Sequence, residues 1–232
     1  MKHIVIIGGS RGIGLATAKE LAKAGNKLLI AGRDPHHLEE AKSQLPEGTI
    51  TLQLDSTDPE APKTLIKILS ENNFPLEGLI LAAAAFSKPE TGKSVIKPTA
   101  EELSYILDSN VVGHYRLIRE LFPLLEETKG RIVLVGSTAG IRRDKGGVYG
   151  VSKWALRELA YQLRDECKEY GIGVSLVNPG GTFTERRVKK GSDDTSLLET
   201  SDVGKVIALI FDLSAQAVVE QVDIRPLTGD TY

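Results

Sequence analysis

Seven short apolar runs, separated by stretches of helical periodicity, restrict the fold of this chain more than any single residue does. The strand-like runs are 3–7, 27–31, 49–54, 78–83, 131–136, 173–177 and 218–224. The helix-like runs between and after them are 13–24, 36–44, 59–71, 99–108, 111–127, 149–170 and 202–212. Several strands, such as KHIVIIG and GLILAA, are apolar without alternation, as strands covered on both faces are. Strand and helix in succession imply a parallel sheet with helices on both sides. Right-handed crossovers then wind it in two directions, with the ligand crevice at the strand carboxyl ends. The expected fold is α/β: a doubly wound, Rossmann-type, mostly parallel seven-stranded sheet. With 232 residues, 41% of them apolar, the chain reads as a single domain over 1–232 with a substantial core. The stretch SKPETGKSVIKP at 87–98 is a polar, proline-containing loop rather than a linker.

The first strand leads into the glycine-rich GGSRGIG at 8–14 and then the helical ATAKELAKAG at 16–25. Gly8, Gly12 and Gly14 thus fall at a strand-to-helix junction, where a dinucleotide pyrophosphate meets bare amides and the positive helix end. Glycine there serves the tight turn, the close approach of the phosphates and helix packing. A lone glycine cluster is only a turn; one that follows a strand and opens a helix is a stronger signal.

Further along, GSTAG at 136–140 precedes YGVSK at 149–153. Tyr149 and Lys153 are one helical turn apart and share a face if the stretch is helical. An ammonium beside a phenol favours the phenolate, and a phenol so tuned exchanges protons with a hydroxyl or carbonyl oxygen near neutral pH. Ser137 closes the strand-like RIVLV and is placed to bond the same oxygen. That is the proton machinery of a hydride-transfer enzyme. The plainer alternative is a Tyr and a Lys at chance spacing on a surface helix.

Together these motifs resemble the short-chain dehydrogenase/reductase family, over nearly the whole chain. The family's glycine motif matches Gly8, Gly12, Ile13 and Gly14. Its catalytic Asn, Ser, Tyr and Lys match Asn110 in NVVGHY, Ser137, Tyr149 and Lys153, in that order, and its Pro-Gly motif matches NPGGTFT at 178–184. The resemblance implies an oxidoreductase with Tyr149 as general acid or base. It gives Lys153 a second role on the nicotinamide ribose, and Asn110 a role in a water-borne proton path. It implies cofactor contacts from Ser10, Asp55, Ala82, Ala83, Pro179, Gly180, Thr182 and Thr184 as well as from the glycine loop, Tyr149 and Lys153. Asp55 also reads as a loop or capping carboxylate. The family pairs subunits through the helices that here span 111–127 and 149–170. Val151, Trp154, Ala155, Leu156 and Leu159 spread apolar surface around the second of these more widely than one stripe requires. A homodimer or homotetramer is expected.

Charge bears on which cofactor. A site that prefers NAD places a carboxylate on the ribose after the second strand. Here KLLIAG is followed by Arg33, and Arg11 lies within the glycine loop. Two guanidiniums suit a 2′-phosphate, so NADP(H) is expected over NAD(H). Asp34 is the competing carboxylate; before Pro35 it reads equally as a helix N-cap. The chain departs from the family after the fourth strand, where Asn-Asn-Ala-Gly is replaced by Ala82, Ala83, Ala84 and Ala85. A second departure is Ile7, where the family commonly has threonine. The alanine tract is what favours an alternative function, a dinucleotide-responsive regulatory protein of weak or no activity.

The net charge of −2 gives no electrostatic reason to expect nucleic acid or an anionic membrane as partner. One cysteine, Cys167, suits a reducing compartment and reads as packing. No run approaches a membrane span, and a cytoplasmic location is expected. His36 and His37 complete no metal-ligand pattern, so no metal is expected; His114, one turn from Asn110, could reach the active-site floor but reads as packing. The basic run TERRVKKG at 184–191 reads as a solvated flap or as a binding face for an anionic substrate. The substrate is a small molecule whose selecting residues lie at 87–98 and 182–200.

Overall fold

A computed structural model describes residues 1–142, 146–184 and 197–229. Its strands are β1 (His3–Ile7), β2 (Lys27–Gly32), β3 (Ile50–Gln53), β4 (Gly78–Leu81), β5 (Arg131–Val135), β6 (Gly173–Pro179), β7 (Thr182–Phe183), β8 (Leu198–Glu199) and β9 (Gln221–Ile224). Its α-helices are α1 (Gly12–Lys23), α2 (Pro35–Lys42), α3 (Ala61–Glu71), α4 (Ala100–Leu107), α5 (Gly113–Thr128), α6 (Gly147–Cys167) and α7 (Thr200–Asp212). Seven strands form one sheet in the order β3-β2-β1-β4-β5-β6-β9, every pairing parallel. The order reverses between β1 and β4, where such sheets open a crevice at their carboxyl ends.

Alternate residues of each strand feed two separate cores. Val5 and Ile7 of β1, with Leu79 and Leu81 of β4 and Ile132 and Leu134 of β5, pack with α3, α5 and α6. Ile4, Ile6, Ile80 and Val133 face the other way, onto α1, α2 and α7. Burial on both faces explains why these strands read as unbroken apolar runs. Each fully buried Leu or Ile contributes about 1.5–3 kcal/mol. Close backbone approach fixes the second layer: a Cβ on Gly204 of α7 would lie 3.0 Å from the Ala16 carbonyl carbon of α1.

The observed elements follow the expected ones with shifts at their ends. β4 stops at Leu81 rather than residue 83, β6 runs on to Pro179, and β9 begins at Gln221 rather than residue 218. The helices expected at 99–108 and 111–127 are joined by one π turn, Asp108–Val112. The two-residue ladder of β7 and β8 is an addition to the expected strands, and is too short to carry periodicity.

Candidate active site

At the crevice, main-chain bonds fork instead of continuing the ladder. The Ile7 carbonyl accepts from both Ala82 and Ala83 at 2.9 Å, and the Ala31 carbonyl accepts from Gly8 at 2.8 Å and Gly9 at 3.1 Å. Gly8 has φ +83°, and a Cβ there would stand 2.5 Å from the Ala83 nitrogen; one on Gly14 would stand 2.0 Å from the Gly8 carbonyl oxygen. Backbone therefore lies against backbone at both places. The Thr184 methyl lies 3.7 Å from the point a Gly12 Cβ would occupy, so the chain after β6 reaches the glycine loop. The Ser10 hydroxyl fills the space above Gly32. The start of α1, after Arg11 and including Ile13, has neither a side-chain cap nor an acidic residue in its first turn, which leaves its amides to an anion. Bare main chain around an uncapped helix start fits a dinucleotide pyrophosphate.

At the end of β2, Asp34 caps α2. Its Oδ1 accepts from the His36 amide at 2.9 Å and the His37 amide at 3.4 Å, while Oδ2 lies 3.2 Å from His37 Nδ1. Arg33 instead extends to α4, where its guanidinium donates to the Tyr105 hydroxyl at 2.7 Å. Asp55, just past β3, holds a turn: its Oδ1 accepts from the Thr57 amide at 3.0 Å and hydroxyl at 2.9 Å.

Tyr149 and Lys153 both lie on α6, with the Lys153 Nζ 5.8 Å from the centre of the Tyr149 ring. Lys153 is 2% exposed, and its Nζ donates to the Val135 carbonyl at the end of β5 at 2.9 Å. Burial pushes its pKa down to about 7, because the ammonium has left water for a single neutral acceptor. Hydroxyl oxygens of a bound ribose would favour the charged form. Ser137 opens a 3₁₀ turn, Thr138–Gly140; its Oγ accepts from the Ala139 amide at 3.1 Å, which leaves the hydroxyl proton for another acceptor.

Asn110, fully buried within the π turn, is joined to this group through a neighbour. Its Nδ2 donates to Ser152 Oγ at 2.9 Å, and that hydroxyl donates to the Tyr149 carbonyl at 2.7 Å. Its Nδ2 also donates to the Ala85 carbonyl at 2.9 Å, and its Oδ1 accepts from the Ala85 amide at 2.7 Å. The main chain of the alanine tract, which lacks the family's amides, is thus held by Asn110. Both side-chain polar atoms of Asn110 are thereby engaged.

Beyond β6, the Gly180 amide donates to the Ile224 carbonyl at 2.8 Å, and Thr182 Oγ1 donates to the Gly180 carbonyl at 3.0 Å. Pro179 ends β6, and Thr182 begins β7. The basic run at 184–191 lies, after Thr184, outside the described residues, as does most of the proposed substrate loop at 182–200.

Three further residues belong to the site although the sequence does not single them out. Asn178 accepts from the Ser137 amide at 3.3 Å and donates to Asp223 at 2.8 Å, tying β5, β6 and β9 together beneath Ser137. Ser152 links Asn110 to α6. Phe86, directly after the alanine tract, stacks on Tyr149 with ring centres 4.8 Å apart and planes 19° from parallel. Asn178 and Ser152 stand inside motifs that draw attention to their neighbours, and Phe86 offers no signal. His114 is buried, and among the described residues no partner meets its ring nitrogens in good hydrogen-bond geometry, although the Ala83 main chain is near enough to favour its charge. Desolvation, then the Lys153 charge, outweighs this and pushes its pKa down to about 3, so it packs as a neutral ring.

Comparisons with known proteins place the chain in a family. A family model described as short chain dehydrogenase matches residues 2–195. A 3-dehydrosphinganine reductase of Arabidopsis thaliana is 32% identical over 91% of this chain, which spans 66% of that longer relative. An NADP-dependent 3-hydroxy acid dehydrogenase of Salmonella typhi is 26% identical over 97% of this chain and 95% of its own. Among solved structures, an alcohol dehydrogenase from the archaeon Thermococcus sibiricus, complexed with 5-hydroxy-NADP, superposes with a TM-score of 0.88 at 23% identity, covering 100% of this chain and 99% of that one.

Proposed function

As the chain belongs to the short-chain dehydrogenase family, we propose that it is an NADP(H)-dependent oxidoreductase interconverting a carbonyl and a secondary alcohol on a small molecule. The observation that carries this reading is Tyr149 with Lys153 buried beneath it on α6, at the same sheet end as the bare glycine cradle. The cradle of Gly8, Ser10, Arg11, Gly12, Ile13 and Gly14 holds the pyrophosphate, with Ala82, Ala83, Pro179, Gly180, Thr182 and Thr184 bordering the rest. Arg33 and Arg11 take the 2′-phosphate, and Asp55 lies at the adenine. When bound, the nicotinamide donates or accepts the hydride.

In reduction, the Tyr149 phenol gives its proton to the substrate carbonyl oxygen; in oxidation the Tyr149 phenolate takes up the hydroxyl proton. Lys153 favours the phenolate and takes the ribose hydroxyls. The Ser137 proton is directed at the same substrate oxygen, and Asn178 fixes the Ser137 backbone. Asn110 holds the alanine tract and supports a water on the proton path. Phe86 walls one side of the phenol, which favours substrates with an apolar group beside the carbonyl.

The alanine tract supports a second reading, a dinucleotide-responsive regulator. The reciprocal bonds between Asn110 and Ala85 favour the enzyme, since they keep that main chain in place. Following nicotinamide absorbance over a panel of ketones and secondary alcohols separates the two. Tyr149→Phe should abolish turnover and leave NADPH affinity within about threefold, because the ring is retained and only the proton donor is lost. Undiminished turnover in that variant would sink the mechanism.

A further inference from the structure

We propose that Tyr105 is a positioning residue for the cofactor's adenosine 2′-phosphate, holding Arg33 in place before the phosphate arrives. The proposal rests on the NADP(H) reading above and assigns to α4 a part in cofactor choice.

Arg33 is fixed at two points. Its main-chain carbonyl accepts from Gln53 Nε2 at 3.1 Å, and its guanidinium donates to Tyr105 Oη at 2.7 Å. The two bonds come from β3 and from α4, elements 20 and 72 residues away. A free arginine loses much rotamer entropy when it closes on a phosphate, and a side chain already held loses less. The chemistry of the holder matters equally. A carboxylate would neutralise the guanidinium and repel the phosphate. A phenol accepts one of five N–H bonds and adds no charge.

The nearby carboxylates are turned to other work. Asp34 caps α2 and lies against His37, and Asp55 Oδ1 is bonded to Thr57. Among the described residues Arg33 makes no ion pair within 4 Å, although Asp55 is close enough to favour its charge. The remaining N–H groups therefore stay available to an anion. Tyr105 is 48% exposed, so its hydroxyl proton also remains available at the same place.

The test is calorimetric titration of NADPH, NADH and the fragment 2′,5′-ADP into wild type, Tyr105→Phe and Arg33→Ala. Tyr105→Phe keeps the ring, and melting curves verify that it folds. Loss of one such bond should weaken NADPH and 2′,5′-ADP by about threefold to tenfold and leave NADH within about twofold. Tyr105→Gln, which returns an acceptor, should recover part of the loss. If Tyr105→Phe leaves the NADPH-to-NADH ratio unchanged, or tightens NADPH because the phenol competes for the guanidinium, the proposal is overturned while the cofactor reading stands. A wild type that prefers NADH overturns both; an Arg33→Ala variant with an unaltered ratio overturns this proposal and the Arg33 assignment while the NADP(H) reading stands.

Discussion

Lys153 combines a buried position with a proposed task that needs charge. Its pKa of about 7 lies below the ordinary lysine value of 10.5, and burial is the cause. Below about pH 7 both the folded and the unfolded chain hold this proton. From there to about 10.5 only the unfolded chain does, so the lysine's contribution to folding stability rises with pH across that window. The melting temperature of the cofactor-free wild type should therefore gain on that of Lys153→Met between about pH 7 and about pH 9.5. Parallel curves for the two proteins would contradict the assignment. At this scale the sequence is legible where chemistry is local: Tyr149 and Lys153 are one turn apart, and Asp34 stands directly before its helix. It is not legible where partners are remote. Asn178 meets Ser137 across 41 residues and Asp223 across 45, and no pattern in the chain announces such a meeting.

The junction of β1 and α1 shows how one element depends on the absence of side chains. A methyl at Gly14 would collide with the Gly8 carbonyl, which is main chain and cannot rotate aside as a side chain could. Gly14→Ala should cost about 1–3 kcal/mol through overpacking and also weaken cofactor binding, since the cradle must open. Gly25, past the end of α1, has φ +77° but nothing within 4 Å of the point its methyl would take. Gly25→Ala should show only backbone strain, about 1 kcal/mol, with cofactor affinity unchanged. Melting curves and NADPH titrations on the pair check both statements; equal behaviour of the two variants would contradict them. The strands and helices themselves are legible because double-sided burial writes continuous apolar runs and helix faces write period 3.6. The π turn at Asp108–Val112 looks like a gap in the sequence, since a single widened turn leaves the periodicity of its flanks intact. The β7–β8 ladder is too short to have any period.

For the whole molecule, the resemblance points to pairing through α5 and α6. Tyr115, Val151 and Trp154 expose 47%, 47% and 38% of their surface there. Of the residues that widen the apolar surface of α6, Leu156 is buried in the core shared with α3 and α5, and Leu159 packs partly buried against it. Light scattering at micromolar concentration should give at least a dimer mass, and charged replacements at Val151 and Tyr115 should shift it to the monomer. A wild-type monomer would reject the assembly. The order of the strands has a further consequence, for how the chain reaches this state. β1 is earliest in the chain and lies near the middle of the sheet, between β2 and β4. Ile4 pairs with Leu28 on one side but with Gly78 on the other. Pairings between distant segments form slowly, since loop closure must come first. During synthesis, then, the edge of β1 that belongs to β4 stays open until residues 78–81 have left the ribosome. An open apolar strand edge is a template for misassociation, so the first third of this chain is the stretch with most need of a chaperone's cover.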